Sequence, residues 1–164
     1  MRVVASQNAH PVESIDTDEG VVTIVQNGDV DNFADLIASF ELGIPNGITT
    51  DARVVPELWQ KNKINGINTE ESFIEAVRNF EGSVAIAGVD VSKPENIFLS
   101  VKGSGQSLYV GLAEDAYLVA SEPYGLVEIT NQYLRVDGEE LINESNEKGQ
   151  VIRLEMNSAG TLEG

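Results

Sequence analysis

A change in hydrophobic periodicity near Gly82 constrains the fold of this chain more than any other feature of its sequence. Before this point, apolar residues recur three and four positions apart, a spacing that places them on one face of a helix. After it, short β-branched and apolar runs alternate with turn residues, which is typical of strands. Helices in one block and strands in another predict an α+β fold, in which helices cover the faces of antiparallel sheets.

Three amphipathic helices are predicted ahead of Gly82. The first starts at Asn32, with Asp35 placed for a capping box, and the second follows Thr50-Asp51, with Pro56 in or near its first turn. The third starts at Asn68. The faces that we expect to be buried are Phe33, Leu36, Ile37 and Phe40 in the first helix, Val54, Val55, Leu58 and Trp59 in the second, and Phe73, Ile74, Val77 and Phe80 in the third.

The strand predictions begin with the β-branched run at residues 21–25, which we expect to stop at the turn residues 26–29. Tight turns at residues 103–105 and 114–115 are predicted to join neighbouring strands, which implies antiparallel pairing. Asp137-Gly138 favours a type I′ hairpin that returns through Leu141-Ile142. The six strands predicted for the second half are residues 84–91, 97–101, 107–112, 117–120, 132–136 and 151–154.

The acidic composition limits the partners that this chain can have. It carries 27 acidic and 10 basic residues among 164, a formal net charge of −17. Such a surface repels nucleic acid and anionic membranes, and its simplest role is to keep the protein in solution, as a salty cytoplasm would require. No apolar run reaches the ~20 residues that span a bilayer. We therefore expect a cytoplasmic protein that binds neither nucleic acid nor membrane.

The scarcity of cysteine and histidine limits the chemistry. The printed sequence has no cysteine and one histidine, His10, so these residues form no disulfide, no cysteine-based zinc site and no cysteine nucleophile. A Ser-His-Asp triad would have to use His10, and no Gly-x-Ser-x-Gly segment is present. We predict no metal and no cofactor.

Six segments between about Ser6 and Gly138 follow one another in the order and spacing of a known family. They are Asn8-Ala9-His10-Pro11, residues 25–32 with the Gln26-Asn27-Gly28 core, Thr50-Asp51-Ala52-Arg53-Val54-Val55, and residues 82–87, 103–112 and 120–123. Together they resemble the glutaminase domain of the glutamine–fructose-6-phosphate aminotransferases, a class II glutamine amidotransferase domain. One tetrapeptide alone would not establish the resemblance, since Asn-Gly marks many ordinary turns.

The resemblance implies a four-layer αββα sandwich of two antiparallel sheets, the fold of the N-terminal-nucleophile hydrolases. It assigns residues 1–156 to a partial amidotransferase type 2 domain and residues 157–164 to a tail or the start of a linker. The family's N-terminal cysteine and its sugar isomerase (SIS) domains have no counterpart among the 164 residues. The chain is therefore expected to be an N-terminally truncated part of a longer protein.

The family's chemistry implies a role for five positions. Its cysteine attacks the side-chain amide of glutamine, and an Asn side chain and the next Gly backbone N–H hold the resulting oxyanion. These donors correspond to Asn27 and Gly28. Asp51 corresponds to the carboxylate that pairs with the α-ammonium of glutamine. Thr50 is a second substrate-binding position beside it, and Arg2 corresponds to the ligand of the glutamine carboxylate. The alternatives are that Asn27-Gly28 only ends a strand and that Asp51 is an N-cap.

Two functions remain open from the sequence. The first is a glutaminase-domain fragment of an aminotransferase-like enzyme that transfers ammonia from glutamine to fructose 6-phosphate, with SIS domains in the same chain and a homodimer as further expectations. The second is a degenerate, non-catalytic module that binds an amino acid or a partner domain. Both predict that this chain alone is inactive, because it lacks the cysteine.

Overall fold

The computed structural model of the protein describes residues 6–142 and 147–159. It contains three α-helices, α1 (Phe33–Ser39), α2 (Val54–Ile64) and α3 (Thr69–Arg78). The strands are β1 (Val12–Glu13), β2 (Val22–Val30), β3 (Gly82–Asp90), β4 (Asn96–Lys102), β5 (Leu108–Leu112), β6 (Tyr117–Ala120), β7 (Tyr133–Val136), β8 (Leu141–Ile142), β9 (Glu147–Lys148) and β10 (Gln150–Glu155). Within the described ranges, no helix is long and apolar enough to cross a membrane.

The strands form antiparallel sheets, as the tight turns predicted. The larger sheet has five strands in the order β1-β2-β3-β4-β10, and a smaller sheet has three in the order β6-β5-β7. The short strands β8 and β9 pair with each other. The predicted α+β fold with two antiparallel sheets is thus confirmed.

Two cores define the layers of the molecule. One core lies between the helices and the larger sheet, where the rings of Trp59, Phe73 and Phe98 pack with centroids 4.8–5.7 Å apart. Gly88 makes room for Trp59, because a Cβ there would lie 2.8 Å from the indole ring. The second core joins the two sheets and contains Leu99, Val101, Val110, Val136 and Leu154.

The turn-rich segment between β6 and β7 covers the outer face of the smaller sheet. A Cβ on Gly111 of β5 would lie 3.0 Å from Thr130 and 3.3 Å from Leu126, and Leu126 is fully buried. Among the described residues, the helical part of this segment is the single 3₁₀ turn Pro123–Gly125. The order of layers is therefore helices, larger sheet, smaller sheet and this segment.

Helices α2 and α3 agree with the sequence patterns. The predicted face of α2 is buried, and Pro56 lies in its first turn. Asn68 caps α3 by accepting a hydrogen bond from the Glu71 backbone N–H at 3.0 Å. Of the predicted face of α3, Phe73, Val77 and the following Phe80 are buried, whereas Ile74 is half-buried.

Helix α1 corrects two predictions. Asn32 does not close a capping box with Asp35; its side chain instead donates to the Asn79 carbonyl at 2.8 Å and accepts from the Glu81 N–H at 3.0 Å. Phe33 is 37% exposed rather than buried, while Leu36 is buried. Because Asn32 ties the start of this short helix to the segment that enters β3, that tertiary contact replaces the local cap.

Strand β2 runs further than predicted. It does not stop at residues 26–29 but continues to Val30, with Asn27 opposite Ala85 and Gly28 opposite Val84. Gly28 has φ +100°, a conformation that glycine adopts without steric cost. Pairing with β3 therefore keeps this turn-like sequence in the sheet.

The predicted Asp137-Gly138 hairpin is wrong. β7 pairs with β5, and β8 pairs with β9 instead of returning along β7. The Gly138 carbonyl accepts from the Gly103 N–H at 3.0 Å, and the Asp137 N–H donates to Gln150 Oε1 at 2.9 Å. These contacts hold residues 137–138 against the larger sheet.

The turn at residues 103–105 also differs from expectation. It does not join neighbours within one sheet, because β4 lies in the larger sheet and β5 in the smaller. The turn at residues 114–115 does join the paired strands β5 and β6.

Candidate active site

A cleft of about 320 Å³ lies beside the open edge of β2. β1 pairs with β2 only at Thr23 and Ile24, so the following part of the strand faces the 3₁₀ turn Asp51–Arg53 instead of another strand. The residues that line the cleft are His10, Gln26, Asn27, Gly28, Asp29, Thr50, Asp51, Ala52 and Gln106.

Asp51 connects the turn to the strand. The residue is 6% exposed, and Oδ2 accepts hydrogen bonds from the Val30 N–H at 2.9 Å and from Gln26 Nε2 at 3.1 Å. Thr50, not Asp51, caps the turn, since its hydroxyl accepts from the Ala52 N–H at 3.3 Å. The Asp51 carboxylate is thus turned toward the cleft side of β2.

Gln26 is a cleft residue that the sequence did not single out for a role. Its Nε2 donates to Asp51 Oδ2 and to the Gly28 carbonyl at 3.3 Å. Its Oε1 is buried and has no hydrogen-bond partner among the described residues. The signal was its place directly before Asn27-Gly28.

Asn27 and Gly28 occupy adjacent positions on the same edge. Asn27 is exposed, and its Nδ2 donates to Gln106 Oε1 at 2.5 Å. Gly28 lies so close to β3 that a Cβ would be 2.1 Å from the Ser83 carbonyl oxygen. Glycine is therefore required here both by its positive φ and by the neighbouring backbone.

Gln106 was also missed, although its loop was part of the resemblance. It follows the loop at residues 103–105, which the Gly105 N–H fixes to Ser83 Oγ at 2.7 Å. Ser83 lies opposite Asp29 in the sheet, so this bond brings the loop to the end of β2. No sequence pattern indicates this contact, because Gln106 and Asn27 are 79 positions apart.

Arg53, the last residue of the 3₁₀ turn, is neutralised by Glu57 in the first turn of α2. Its Nη2 lies 2.7 Å from Glu57 Oε1, which also accepts from the Ile15 N–H at 3.1 Å. Burial raises the pKa of Glu57, and the hydrogen bond and charge of Arg53 only partly oppose that rise. Arg53 is therefore bound to Glu57 and does not line the cleft.

The structure brings four of the predicted site residues together. Asn27, Gly28, Thr50 and Asp51 line one cleft with His10, although they come from separate elements. The fifth, Arg2, lies outside the described residues. Two carboxylates, Asp29 and Asp51, make the cleft suitable for a cationic group such as an ammonium. In the described part of the chain, no cluster of three His, Asp or Glu side chains is arranged to hold a metal ion.

Solved structures define the class of fold. The chain is similar to the glutamine phosphoribosylpyrophosphate (PRPP) amidotransferase from B. subtilis complexed with ADP and GMP, with a TM-score of 0.69 and 21% identity over 96% of this chain and 34% of that one. A structure described as the allosteric regulatory enzyme of purine biosynthesis matches with a TM-score of 0.67 and 21% identity over 92% of this chain and 32% of the other. The fold is that of the N-terminal-nucleophile amidotransferases.

Sequence comparison gives the family. Residues 2–128 match the glutamine amidotransferase domain family, and the chain belongs to it. Curated relatives include the glutamine–fructose-6-phosphate aminotransferase (isomerizing) of Bacillus licheniformis, 30% identical over 148 residues, and that of Geobacillus kaustophilus, 32% identical over 136 residues. These alignments cover 90% and 82% of this chain but only 24% and 22% of the relatives. The chain thus spans about a quarter of their length.

Proposed function

We propose that the cleft beside β2 is the glutamine site of a glutaminase domain. The observation that carries the proposal is the convergence of Asn27, Gly28 and Asp51 on one cleft. If these residues lay apart, each would have a local explanation. Asn27 would be an ordinary strand residue, Gly28 a closely packed glycine, and Asp51 a residue at the start of a helix. Their shared cleft, in a member of the glutamine amidotransferase family, is better explained by one ligand.

The proposed roles follow from the chemistry of amide hydrolysis. Asp51 pairs with the α-ammonium of glutamine, since a buried carboxylate held by two hydrogen bonds is fixed in place for a charged partner. Asn27 and the Gly28 N–H stabilise the oxyanion that forms when a thiolate attacks the side-chain amide carbon. The carbon–nitrogen bond then breaks, ammonia leaves, and water releases glutamate from the thioester.

The nucleophile in this proposal comes from outside the printed sequence, which has no cysteine. The chain then supplies the oxyanion donors and the amino-group ligand of a longer protein, a truncated glutaminase domain within residues 1–156. We further propose fructose 6-phosphate as the ammonia acceptor and SIS domains in the same protein. The support is the name shared by the curated relatives at 26–32% identity.

The binding half of the proposal is tested with the chain as it is. Isothermal titration calorimetry with L-glutamine should show binding, and Asp51→Asn should weaken it at least tenfold, since loss of a charge-assisted hydrogen bond costs about 1.5–3 kcal/mol. Glu114→Gln is the matched control, because it removes one negative charge at the exposed β5–β6 turn, away from the cleft. Equal affinities for the wild type and Asp51→Asn would contradict the proposed role of Asp51.

A second candidate is a non-catalytic module that binds an amino acid or a partner domain. The observation that favours it is the lack of any cysteine in a chain that retains the rest of the site. The gene sequence upstream of Met1 separates the two functions. A cysteine directly after an upstream initiator methionine supports the glutaminase, whereas a genuine translation start at Met1 supports the binding module.

A further inference from the structure

The proposed oxyanion donor Asn27 already has a partner within the chain. Its Nδ2 donates to the side-chain oxygen of Gln106 at 2.5 Å. Gln106 is half-buried and lines the same cleft as Asp51. Its side chain ends in a primary carboxamide, the functional group that glutamine would present there. The Asn27 donor that an amide ligand would use is thus already bonded to the side-chain carbonyl oxygen of Gln106.

The same side chain also covers Gly28. A Cβ built on Gly28 would lie 3.1 Å from Gln106 Cγ, so the aliphatic part of Gln106 packs directly over this glycine. An oxygen held by both Asn27 and Gly28 must lie between them. The Gln106 side chain contacts both residues, with Cγ next to Gly28 and Oε1 bonded to Asn27.

Two hydrogen bonds fix the backbone immediately before Gln106. The Gly105 N–H donates to Ser83 Oγ at 2.7 Å, and the Gly103 N–H donates to the Gly138 carbonyl at 3.0 Å. A Cβ on Gly103 would lie 2.6 Å from the Gly82 carbonyl oxygen, so the loop packs closely on β3. The side-chain torsions of Gln106 are therefore the simplest way to uncover Asn27.

We propose that the Gln106 side chain competes with an amide ligand for Asn27. In the empty cleft its carboxamide oxygen takes the place of the ligand's amide oxygen, and binding requires the side chain to rotate away. The inference rests on the proposed function of the cleft. It adds that the side chain of Gln106 partly sets the affinity of the cleft for free L-glutamine.

The test compares two ligands and two variants by calorimetry. L-Glutamine carries a side-chain amide, whereas L-norvaline has a side chain of similar length without one. Gln106→Ala should bind L-glutamine about three- to tenfold more tightly than the wild type, the range expected when one hydrogen bond no longer competes. Its affinity for L-norvaline should be unchanged. Gln106→Glu keeps an acceptor of the same length and should bind L-glutamine no more tightly than the wild type.

A ligand-free measurement tests the contact itself. In ¹⁵N-resolved NMR spectra of the ligand-free proteins, the side-chain NH₂ resonances of Asn27 should differ between the wild type and Gln106→Ala. The difference should have the same sign at several temperatures. Unchanged Asn27 resonances would overturn the inference without reference to any ligand.

The outcomes separate this inference from the function beneath it. Equal L-glutamine affinity in the wild type and Gln106→Ala overturns the competition and leaves the glutamine site standing. Tighter binding of both ligands also overturns it, because the substitution would then act by removing steric bulk and not by removing a competing hydrogen bond. If neither protein binds L-glutamine and Asp51→Asn behaves identically, the proposed function fails and the inference falls with it.

Discussion

At the scale of single residues, the backbone beside the cleft requires glycine at position 28. Gly28 has φ +100°, and a Cβ there would overlap the Ser83 carbonyl oxygen at 2.1 Å. That oxygen belongs to the backbone of β3 and has no side-chain torsion with which to move. The position therefore constrains the sequence whether or not a ligand binds.

Gly28→Ala should destabilise the fold by about 2–4 kcal/mol, because backbone strain and the displacement of β3 add together. The measurement is the free energy of unfolding from urea denaturation. Gly66→Ala is the control, since Gly66 also has a positive φ, +88°, but has no atom within 4 Å of the added methyl group. If both variants lost the same stability, the close approach of Gly28 to Ser83 would have no energetic role.

Asn27 should matter for chemistry and little for stability. In a longer form of the protein that carries an N-terminal cysteine, Asn27→Ala is expected to lower the rate of glutamate release by about 10²-fold or more, the usual loss for one oxyanion donor. Its urea midpoint should stay near that of the parent, because the side chain is exposed. A rate within twofold of the parent would refute the assignment of Asn27.

At the scale of elements, the starts of helices α1 and α3 differ in how well the sequence predicted them. Asn68 caps α3 through the N–H of Glu71, a contact three residues away that a local motif predicts well. Asn32 instead binds Asn79 and Glu81, nearly fifty positions away, and Phe33 is left partly exposed. Local patterns predict helices whose ends are satisfied locally, and they fail where a distant segment supplies the partner.

Two phenylalanines test this difference. Phe80 is 1% exposed and Phe33 is 37% exposed. Phe80→Ala should lower the free energy of unfolding by about 3 kcal/mol or more, since truncating a buried aromatic side chain leaves a cavity. Phe33→Ala removes the same atoms and should cost much less. Comparable losses in urea denaturation would show that Phe33 is packed as the sequence first suggested.

A buried ion pair joins α2 to the end of β3. Lys63 Nζ lies 2.7 Å from Asp90 Oδ2, and the two side chains are 5% and 0% exposed. Asp90 also accepts hydrogen bonds from the hydroxyl of Thr69 at 2.6 Å and from the hydroxyl and N–H of Ser92. Burial pushes the pKa of Asp90 upward, but the hydrogen bonds from Lys63, Thr69 and Ser92 outweigh it and hold the pKa below its ordinary value.

This pair predicts a dependence of stability on pH. Because the folded-state pKa of Asp90 is depressed, its contribution is complete above the unfolded pKa of about 4 and declines as the pH falls toward the lower folded value. Urea denaturation between pH 3 and pH 7 should show this loss, and Asp90→Asn should reduce the slope. Glu70→Gln is the control, since Glu70 pairs with Arg153 at a site where both side chains are over 40% exposed. An equal change of slope in both variants would exclude a special role for Asp90.

At the scale of the whole molecule, the architecture was more predictable than the connections within it. The block of helices followed by strands gave α+β, and the resemblance gave the two-sheet sandwich. The path of the chain between the sheets was not predicted, because it depends on contacts such as that of Gly103 with Gly138, 35 positions apart in sequence. In the same way the sequence pointed to Asn27, Gly28 and Asp51, but not to Gln26 and Gln106, whose importance comes only from their neighbours in space.

The printed chain as a whole should have no glutaminase activity. It contains no thiol, and no serine is found among the described residues that line the cleft. Glutamate release from glutamine, measured at high protein concentration, should equal that of a heat-treated sample. Turnover above that background would mean that another residue acts as the nucleophile.

The cleft is assembled from parts of the chain that are distant in sequence. The hydrogen bond between Gln26 and Asp51 spans 25 positions, and that between Asn27 and Gln106 spans 79. Because the entropy of closing the intervening loops keeps these segments apart in the unfolded chain, the complete site exists only in the folded protein. A small molecule held there would recognise only molecules that have finished folding. By mass action it would protect them from unfolding, as a pharmacological chaperone does.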